Sequence, residues 1–112
     1  MLVKDILVSK HLELINTNCN LGNEISGIFA CDLLSHVMGF AKENQVLITV
    51  LNNINVLGVA SLLDLSCVIF THDTDVSQNI ITKANELEIP LLKTTLSTAE
   101  ITLELNRIGV DN

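Results

Sequence analysis

Near-continuous runs of aliphatic residues recur along the chain, separated by segments in which apolar and polar positions follow a helical period. The apolar runs predict five strands, at 12–15, 25–31, 46–51, 65–70 and 91–94. A strand buried on both faces of a parallel sheet has no polar face, and runs rich in Val, Ile and Leu are typical of it. The pattern therefore indicates a sheet that is covered on both sides.

The segments between the runs predict helices, with a short amphipathic one at 3–9 and a longer one after each later strand. Polar residues that suit capping stand at three of the predicted helix starts: Asp32, Asn52 or Asn53, and Ser97 with Glu100. Gly109 is predicted to lie just past the last helix. The side chains predicted to face inward on the second and third helices are Leu33, Leu34, Val37, Met38, Ala41, Ile54, Leu57, Val59, Ala60 and Leu63.

Strand and helix alternate three times after residue 46, with short connections. Such alternation favours parallel strands joined by right-handed crossover helices. We therefore predict an α/β fold, a single three-layer domain over residues 1–112 with a mostly parallel central sheet flanked by helices. A chain of 112 residues can bury such a core without disulfides or metal ions.

Composition narrows the classes of function. The formal charge of -7, from 13 acidic and 6 basic residues, argues against nucleic acid or an anionic membrane surface as a partner. Three cysteines without C-x-x-C spacing are expected to be reduced thiols, and no metal site is predicted. Because the chain has neither a signal-peptide pattern nor a run of about 20 apolar residues, we expect it to be cytoplasmic.

The loops after the predicted strands are the places to look for a site, since ligands of open α/β sheets bind outside the carboxyl ends of the strands. The candidate ligand-binding residues in these loops and helix starts are Asp32, Ser35, Asn52, Asn53, Thr71, His72, Asp73, Thr94, Thr95 and Ser97. No catalytic residue is predicted. Ser35 points away from His36 on a helix, and the phosphate-binding glycine motifs of nucleotide-hydrolysing enzymes do not occur.

Several of these residues have two interpretations. His72, Asp73 and Asp75 suit a divalent cation, but a polar turn explains them more simply. Hydroxyl groups at 94–98 suit a phosphate or carboxylate at a helix start, although capping alone explains Ser97.

The amide and histidine side chains of the other two loops are equally open to interpretation. The Asn residues at 52–55 suit a base or ribose edge, although Asn is common at strand-to-helix junctions. Asp32 and His36 lie one helical turn apart and suit either an acid–base couple or an ordinary surface pair.

Three segments carry a resemblance to a known family: Cys31-Asp-Leu-Leu-Ser-His-Val-Met-Gly39, Ile69-Phe-Thr-His-Asp73 and Ile89-Pro-Leu-Leu-Lys-Thr-Thr-Leu-Ser97. With them the chain resembles a stand-alone DRTGG domain. The family is similar to the amino-terminal domain of HPr kinase/phosphorylase and also accompanies CBS pairs in pyrophosphatases and occurs in phosphotransacetylases. The resemblance implies a regulatory module without enzyme activity, a homodimer, an adenine nucleotide as a possible ligand, and a partner enzyme or signalling protein.

The motif that names the family is altered here. Leu51-Asn-Asn-Ile54 stands where Gly-Asp-Arg is expected, and Thr71-His-Asp73 stands where Thr-Gly-Gly is expected. Loss of the Arg removes a phosphate clamp, and loss of the glycines removes close backbone approach. These changes favour a neutral ligand, a cation or a protein partner over a nucleotide phosphate.

Three hypotheses follow from the residues and the resemblance. The first is a non-enzymatic module that senses a nucleotide or another small molecule. The second is a protein-interaction or dimerisation module without a small-molecule ligand. The third is a metal-assisted hydrolase that uses His72, Asp73, Asp75 and Asp32.

Overall fold

A computed structural model describes residues 1–111. It contains five helices and five strands in that range, in the order α1 (Val3–Ile6), β1 (Glu13–Leu14), β2 (Gly27–Ala30), α2 (Leu34–Phe40), β3 (Gln45–Thr49), α3 (Asn55–Leu62), β4 (Cys67–Phe70), α4 (Gln78–Leu87), β5 (Leu91–Lys93) and α5 (Thr98–Arg107). The strands are shorter than predicted by up to three residues, and α1 ends at Ile6 rather than at residue 9.

The strands form one sheet in the order β1-β5-β4-β3-β2. The four strands from β2 to β5 run parallel, with Ile48 opposite Ile69 and Ile69 opposite Leu92. The short strand β1 pairs antiparallel with β5 at one edge, where Glu13 lies opposite Lys93. The predicted α/β fold with a mostly parallel central sheet is confirmed.

Side chains that alternate along the central strands divide the core into two layers. One layer joins Leu47, Val68 and Phe70 to helices α2, α3 and α4. The other joins Ile48 and Ile69 to helices α1 and α5. Because both faces of the sheet are buried, residues 46–49 and 67–70 have no polar alternation, which is why the strands are visible as continuous apolar runs in the sequence.

Residues 15–26 cross the amino ends of the parallel strands from the β5 edge to the β2 edge. Asn16 is 3% exposed, accepts a hydrogen bond from the Leu91 N–H at 2.9 Å and donates one to the Ile89 carbonyl at 2.8 Å. Farther along, the Asn23 amide donates to the Ser66 carbonyl. We refer to residues 15–26 as the amino-terminal strap, and its asparagines satisfy backbone groups that the strand ends leave open.

The prediction for the start and the buried face of α2 is wrong. The helix begins after Leu33, which makes no side-chain capping hydrogen bond, and Asp32 caps nothing. Leu33 and Met38 are exposed rather than inward, and only Val37 of this helix is buried. Asp32 cannot cap because its carboxylate is engaged at the end of β3, and a helix that is apolar on several faces does not specify which one is buried.

The helix starts at α3 and α5 are closer to the prediction. The Asn53 side chain accepts the Asn55 N–H at 2.8 Å, whereas the Asn52 side chain bonds to another loop and does not cap. At α5 the Ser97 and Glu100 capping box is present in both directions, and Gly109 follows the helix with a positive φ. Ile54, which was predicted to face inward, is exposed.

Candidate functional site

The loops after β4 and β5 are hydrogen-bonded to each other at the carboxyl edge of the sheet. The backbone N–H of His72 donates to the Leu96 carbonyl at 2.9 Å, and that of Asp73 donates to the Thr94 carbonyl at 3.0 Å. This pairing brings six of the ten candidate residues into one region: Thr71, His72, Asp73, Thr94, Thr95 and Ser97.

Most hydroxyl groups in this region hold the loops in place. Thr71 and Thr98 share a hydrogen bond between their Oγ1 atoms at 3.1 Å, and Thr71 is fully buried. The Thr94 hydroxyl accepts the Leu96 N–H at 3.1 Å, and the Ser97 hydroxyl caps α5. Among the candidate hydroxyls of this region, that of Thr95 is exposed and is free to meet a ligand.

His72 and Asp73 occupy backbone conformations that normally favour glycine. Their φ angles are 58° and 54°, both in the left-handed region. The Gly-Gly pair expected here from the motif would suit both conformations, and His72 and Asp73 place two polar side chains at these positions. Nε2 of His72 accepts the Thr98 N–H at 3.4 Å, so the imidazole lies over the first turn of α5.

A cavity of about 230 Å³ opens beside these loops, between the segment that leads into β1 and the end of β5. Its walls are Lys10, His11, Leu12, Glu13, Asp73, Lys93, Thr94 and Thr95. Nζ of Lys93 lies 3.3 Å from Oδ1 of Asp73, with the lysine side chain 25% exposed and the aspartate side chain 67% exposed. The lining therefore includes two lysines, two acidic residues and one histidine.

Sequence reasoning missed five of the eight lining residues, namely Lys10, His11, Leu12, Glu13 and Lys93. They reach the cavity because β1 pairs antiparallel with β5, which places the start of β1 beside the end of β5. Only a weak signal was available. Lys10 and His11 precede the short apolar run at 12–15, and Lys93 lies within the other short run at 91–94. Nothing local in the sequence specifies that those runs pair.

The remaining candidates lie at the ends of β2 and β3 and are engaged in local contacts. Oδ1 of Asp32 accepts the Thr49 hydroxyl at 2.9 Å and the Val50 N–H at 2.8 Å. The Asn52 amide donates to the Asp75 carbonyl at 2.9 Å. The Asn53 side chain accepts the first N–H of α3, so these three side chains position loops.

Ser35 and its neighbour His36 are exposed on α2. The imidazole of His36 packs against Phe40, with ring centroids 4.4 Å apart, and lies 6.2 Å from Phe29. His36 therefore belongs to a small aromatic cluster, while the carboxylate of Asp32 is bonded to the end of β3. The acid–base couple considered for Asp32 and His36 has no support in the geometry.

Residues 1–111 contain no group of three or more His, Cys, Asp or Glu side chains arranged to hold a metal ion. The metal-assisted hydrolase hypothesis therefore has no ligand set in that range. Within the same range, no helix is both long enough and apolar enough to cross a membrane.

Two carboxylates on α5, those of Glu100 and Glu104, are held in their ionised form by hydrogen bonds. Hydrogen bonds from the backbone and the hydroxyl of Ser97 lower the pKa of Glu100. One turn later, the Arg107 guanidinium and the Ser9 hydroxyl lower the pKa of Glu104 to about 2. Both carboxylates are therefore ionised at neutral pH, and that of Glu104 is paired with the Arg107 guanidinium.

The family model of the DRTGG domain matches residues 13–108. No curated protein matches the sequence. A similar fold occurs in the crystal structure of the CBS and DRTGG domains of the regulatory region of Clostridium perfringens pyrophosphatase, complexed with the activator diadenosine tetraphosphate. The TM-score is 0.66 at 15% sequence identity, and the match covers 90% of this chain and 44% of that chain, so this chain spans less than half of it.

Proposed function

The chain belongs to the DRTGG domain family, and from that premise we propose that it is a non-enzymatic regulatory module that senses a small molecule in the β1–β5 cavity. A change in that cavity would be passed to a partner enzyme or signalling protein. The observation that carries the proposal is the meeting of Lys10, Lys93 and Thr95 in one concave site at the carboxyl edge. Three unpaired cysteines support a reducing, cytoplasmic setting.

We propose the phosphate end of an adenine nucleotide as the ligand, held by the two lysines of the cavity, although Glu13 and Asp73 balance their charge. Sites that enclose a whole small molecule measure about 300–1,000 Å³, so a cavity of about 230 Å³ suits one part of a ligand. Two ammonium groups and an exposed hydroxyl suit a phosphate group. The base and ribose would then lie outside the cavity.

The carboxylate of Asp73 competes with a phosphate ligand for Lys93. It already neutralises Lys93 at 3.3 Å, so an arriving phosphate must displace it or share the ammonium group. The Asp73 carboxylate therefore occupies a position beside Lys93 where the glycine expected from the family motif would have no side chain. We expect this pairing to weaken phosphate binding and to favour ligands that tolerate a nearby carboxylate.

The test is a thermal-shift and calorimetric screen with adenine nucleotides, diadenosine tetraphosphate, inorganic phosphate and divalent cations. A ligand at about 100 times its dissociation constant adds about 2.7 kcal/mol to the folded state. We expect Lys93→Gln to weaken binding of a phosphate ligand by about tenfold or more, because it removes a charged hydrogen bond. Asp73→Asn should tighten it by up to about fivefold, since an exposed ion pair contributes about 0–1 kcal/mol.

The matched control is Lys83→Gln, which removes the same charge from α4, where the lysine pairs with Glu86 at 3.6 Å. It should leave ligand affinity unchanged. Equal losses in the Lys83 and Lys93 variants would mean that binding depends on overall charge rather than on this cavity. A blank result with every compound would reject the sensing proposal.

A second candidate function is a protein-interaction or homodimerisation module without a small-molecule ligand. A separate observation favours it: five large apolar side chains are exposed on or beside α2 and α3, namely Leu33, Met38, Phe40, Ile54 and Leu62. An apolar concentration of this kind on a small domain marks an interaction surface. The two functions use different faces of the molecule and are compatible.

A further inference from the structure

A groove along helix α5 lies next to the β1–β5 cavity. It measures about 390 Å³ and is lined by His11, Leu96, Glu100, Leu103, Glu104 and Arg107. We call it the α5 groove. His11 lines both the groove and the cavity. The two concave regions are therefore neighbours across one side chain, and a single small molecule can extend from one into the other.

The boundary between the two regions is fixed by a series of hydrogen bonds. The buried Ser9 accepts the His11 N–H at 3.2 Å and donates its hydroxyl to Oε2 of Glu104 at 2.6 Å. Glu104 in turn accepts Nε of Arg107 at 2.8 Å and Nη2 at 3.1 Å. The backbone at His11 and the guanidinium of Arg107 are thus joined through two side chains, which preorganises this wall of the groove.

The Arg107 guanidinium offers a flat surface to a ligand. Its two hydrogen bonds to one carboxylate set the plane of the group, while the side chain remains 68% exposed. A guanidinium held in this way stacks on aromatic rings. The residues that line the groove include no Phe, Tyr or Trp, so an aromatic ring placed there has to come from the ligand.

The other lining residues suit a flat ring that carries an amino group. Leu103 is 71% exposed and Leu96 is half-buried, so both present apolar surface to a ring. Glu100 is exposed, and hydrogen bonds from Ser97 lower the pKa of its carboxyl group. An ionised carboxylate only accepts hydrogen bonds, so it attracts an amino group and repels a phosphate. The groove therefore suits the base of a nucleotide rather than its phosphate.

We propose that the α5 groove binds the base of the nucleotide whose phosphate lies in the β1–β5 cavity, and that the base is adenine or another heteroaromatic ring with an amino group. The ring stacks on Arg107 and contacts Leu103, and its amino group donates to Glu100. The sugar passes His11, which separates the two regions. This inference rests on the sensing function proposed above and adds the part of the site that recognises the base.

The test is isothermal titration calorimetry of the full chain with AMP, ribose 5-phosphate and adenosine. AMP and ribose 5-phosphate carry the same sugar and phosphate and differ in the base. We expect the wild-type protein to bind AMP about tenfold or more tighter than ribose 5-phosphate, because stacking of a base on a side chain contributes at least that much.

Two variants locate the base. Arg107→Lys keeps the positive charge but removes the flat group, so it should weaken AMP about fivefold or more and leave ribose 5-phosphate unchanged. Leu103→Ser should act in the same direction, and the exposure of Leu103 makes a loss of folding unexpected. The matched control is Leu62→Ser on α3, where the leucine is 70% exposed and lines neither region. It should leave both affinities unchanged.

The outcomes separate this inference from the sensing proposal. Equal binding of AMP and ribose 5-phosphate would overturn the base site and leave the phosphate site standing. A preference for AMP that survives Arg107→Lys and Leu103→Ser would also overturn it, because the base would then lie elsewhere. Adenosine that binds where ribose 5-phosphate does not would keep the groove and remove the phosphate site. No binding of any of the three compounds would reject the α5 groove as a base site.

Discussion

Five residues other than glycine adopt left-handed backbone conformations within residues 1–111, and each marks a junction. Asn44, Asp64 and Glu88 follow helices and precede β3, β4 and β5, while His72 and Asp73 follow β4. The left-handed region costs an L residue about 1–2 kcal/mol, and Asn and Asp tolerate it best. Glu88 is therefore the junction residue least suited to its conformation.

Glu88→Gly should stabilise the protein. Glu88 ends α4 with φ 58°, and its N–H donates to the Ala84 carbonyl, an arrangement in which glycine is the usual residue. Glycine relieves the backbone strain but makes the unfolded chain more flexible, so we expect a net gain of about 0.5–1 kcal/mol. Urea denaturation measures it as a higher midpoint at an unchanged slope.

The control for that variant is Glu86→Gly, two residues earlier and inside α4. The same substitution in a right-handed helical position should destabilise by about 1 kcal/mol. Opposite signs in the two variants are the expected result. A loss of stability at both positions would contradict the left-handed ending of α4.

The residue scale is also where prediction from sequence was weakest. The polar residues at 71–75 correctly predicted a loop. They do not indicate that His72 and Asp73 are left-handed, because neither residue type requires that conformation. Lys10 and Lys93 were missed because they meet only through the pairing of β1 with β5. A site assembled by long-range pairing leaves no local spacing to detect.

At the scale of elements, the apolar runs predicted strand order along the chain well, because burial on both faces makes a strand conspicuous. Helix α2 is the exception. Its apolar residues occupy several faces, so the assumption that all of them are buried placed Met38 and Leu33 in the core. The structure exposes both. A conflict of this kind between local pattern and burial is expected where a surface serves binding.

Helix α5 is tied to the segment after α1 by an ionised carboxylate. Oε2 of Glu104 accepts the hydroxyl of the buried Ser9 at 2.6 Å, and Oε1 accepts Nε of Arg107 at 2.8 Å. These donors lower the pKa of Glu104 from 4.5 to about 2, with the Arg107 contribution the larger. The ionised form is therefore favoured more in the folded state than in the unfolded state.

This shift predicts a specific acid sensitivity. Because the folded-state pKa lies below the unfolded one, the stabilisation from Glu104 is fully present above pH about 4.5 and is lost as the pH falls towards 2. Glu104→Gln should be less stable than wild type at neutral pH, and the gap should close in that window. The measurement is the free energy of unfolding by urea from pH 7 to pH 2.5.

Glu24→Gln is the matched control, since Glu24 is exposed and its side chain makes no hydrogen bond to the rest of residues 1–111. It should track the wild type across the whole pH range. A constant gap between Glu104→Gln and wild type down to pH 2.5 would mean that the Ser9 and Arg107 contacts do not favour ionisation.

At the scale of the whole molecule, the sheet is the most protected part. Cys67 lies in β4 between two other strands and is fully buried, and burial raises the pKa of its thiol to about 12. Cys19 and Cys31 are only partly buried. The chain thus carries two partly accessible thiols and one that is buried in the layer between the sheet and helices α1 and α5.

Thiol labelling at neutral pH should therefore have two phases. Cys19 and Cys31 should react in the folded protein, with Cys19 slowed because burial raises the pKa of its thiol. Cys67 should react only when the sheet opens, because a protonated, buried thiol is not a nucleophile. Mass spectrometry of the labelled protein counts the modified thiols, and denaturant should make the third appear. Three thiols that react together without denaturant would be incompatible with a closed sheet.

The long-range contacts of β1 and the amino-terminal strap affect when these segments can fold. Strand β1 pairs with β5, and Asn16 bonds to Ile89 and Leu91, partners 73 and 75 residues later in the chain. These partners are synthesised after residues 13–16. The contacts of β1 and Asn16 therefore cannot form until residues 89–93 have emerged, and contacts of such long range slow folding. We expect the inner strands to pair first and β1 to join the sheet late in folding.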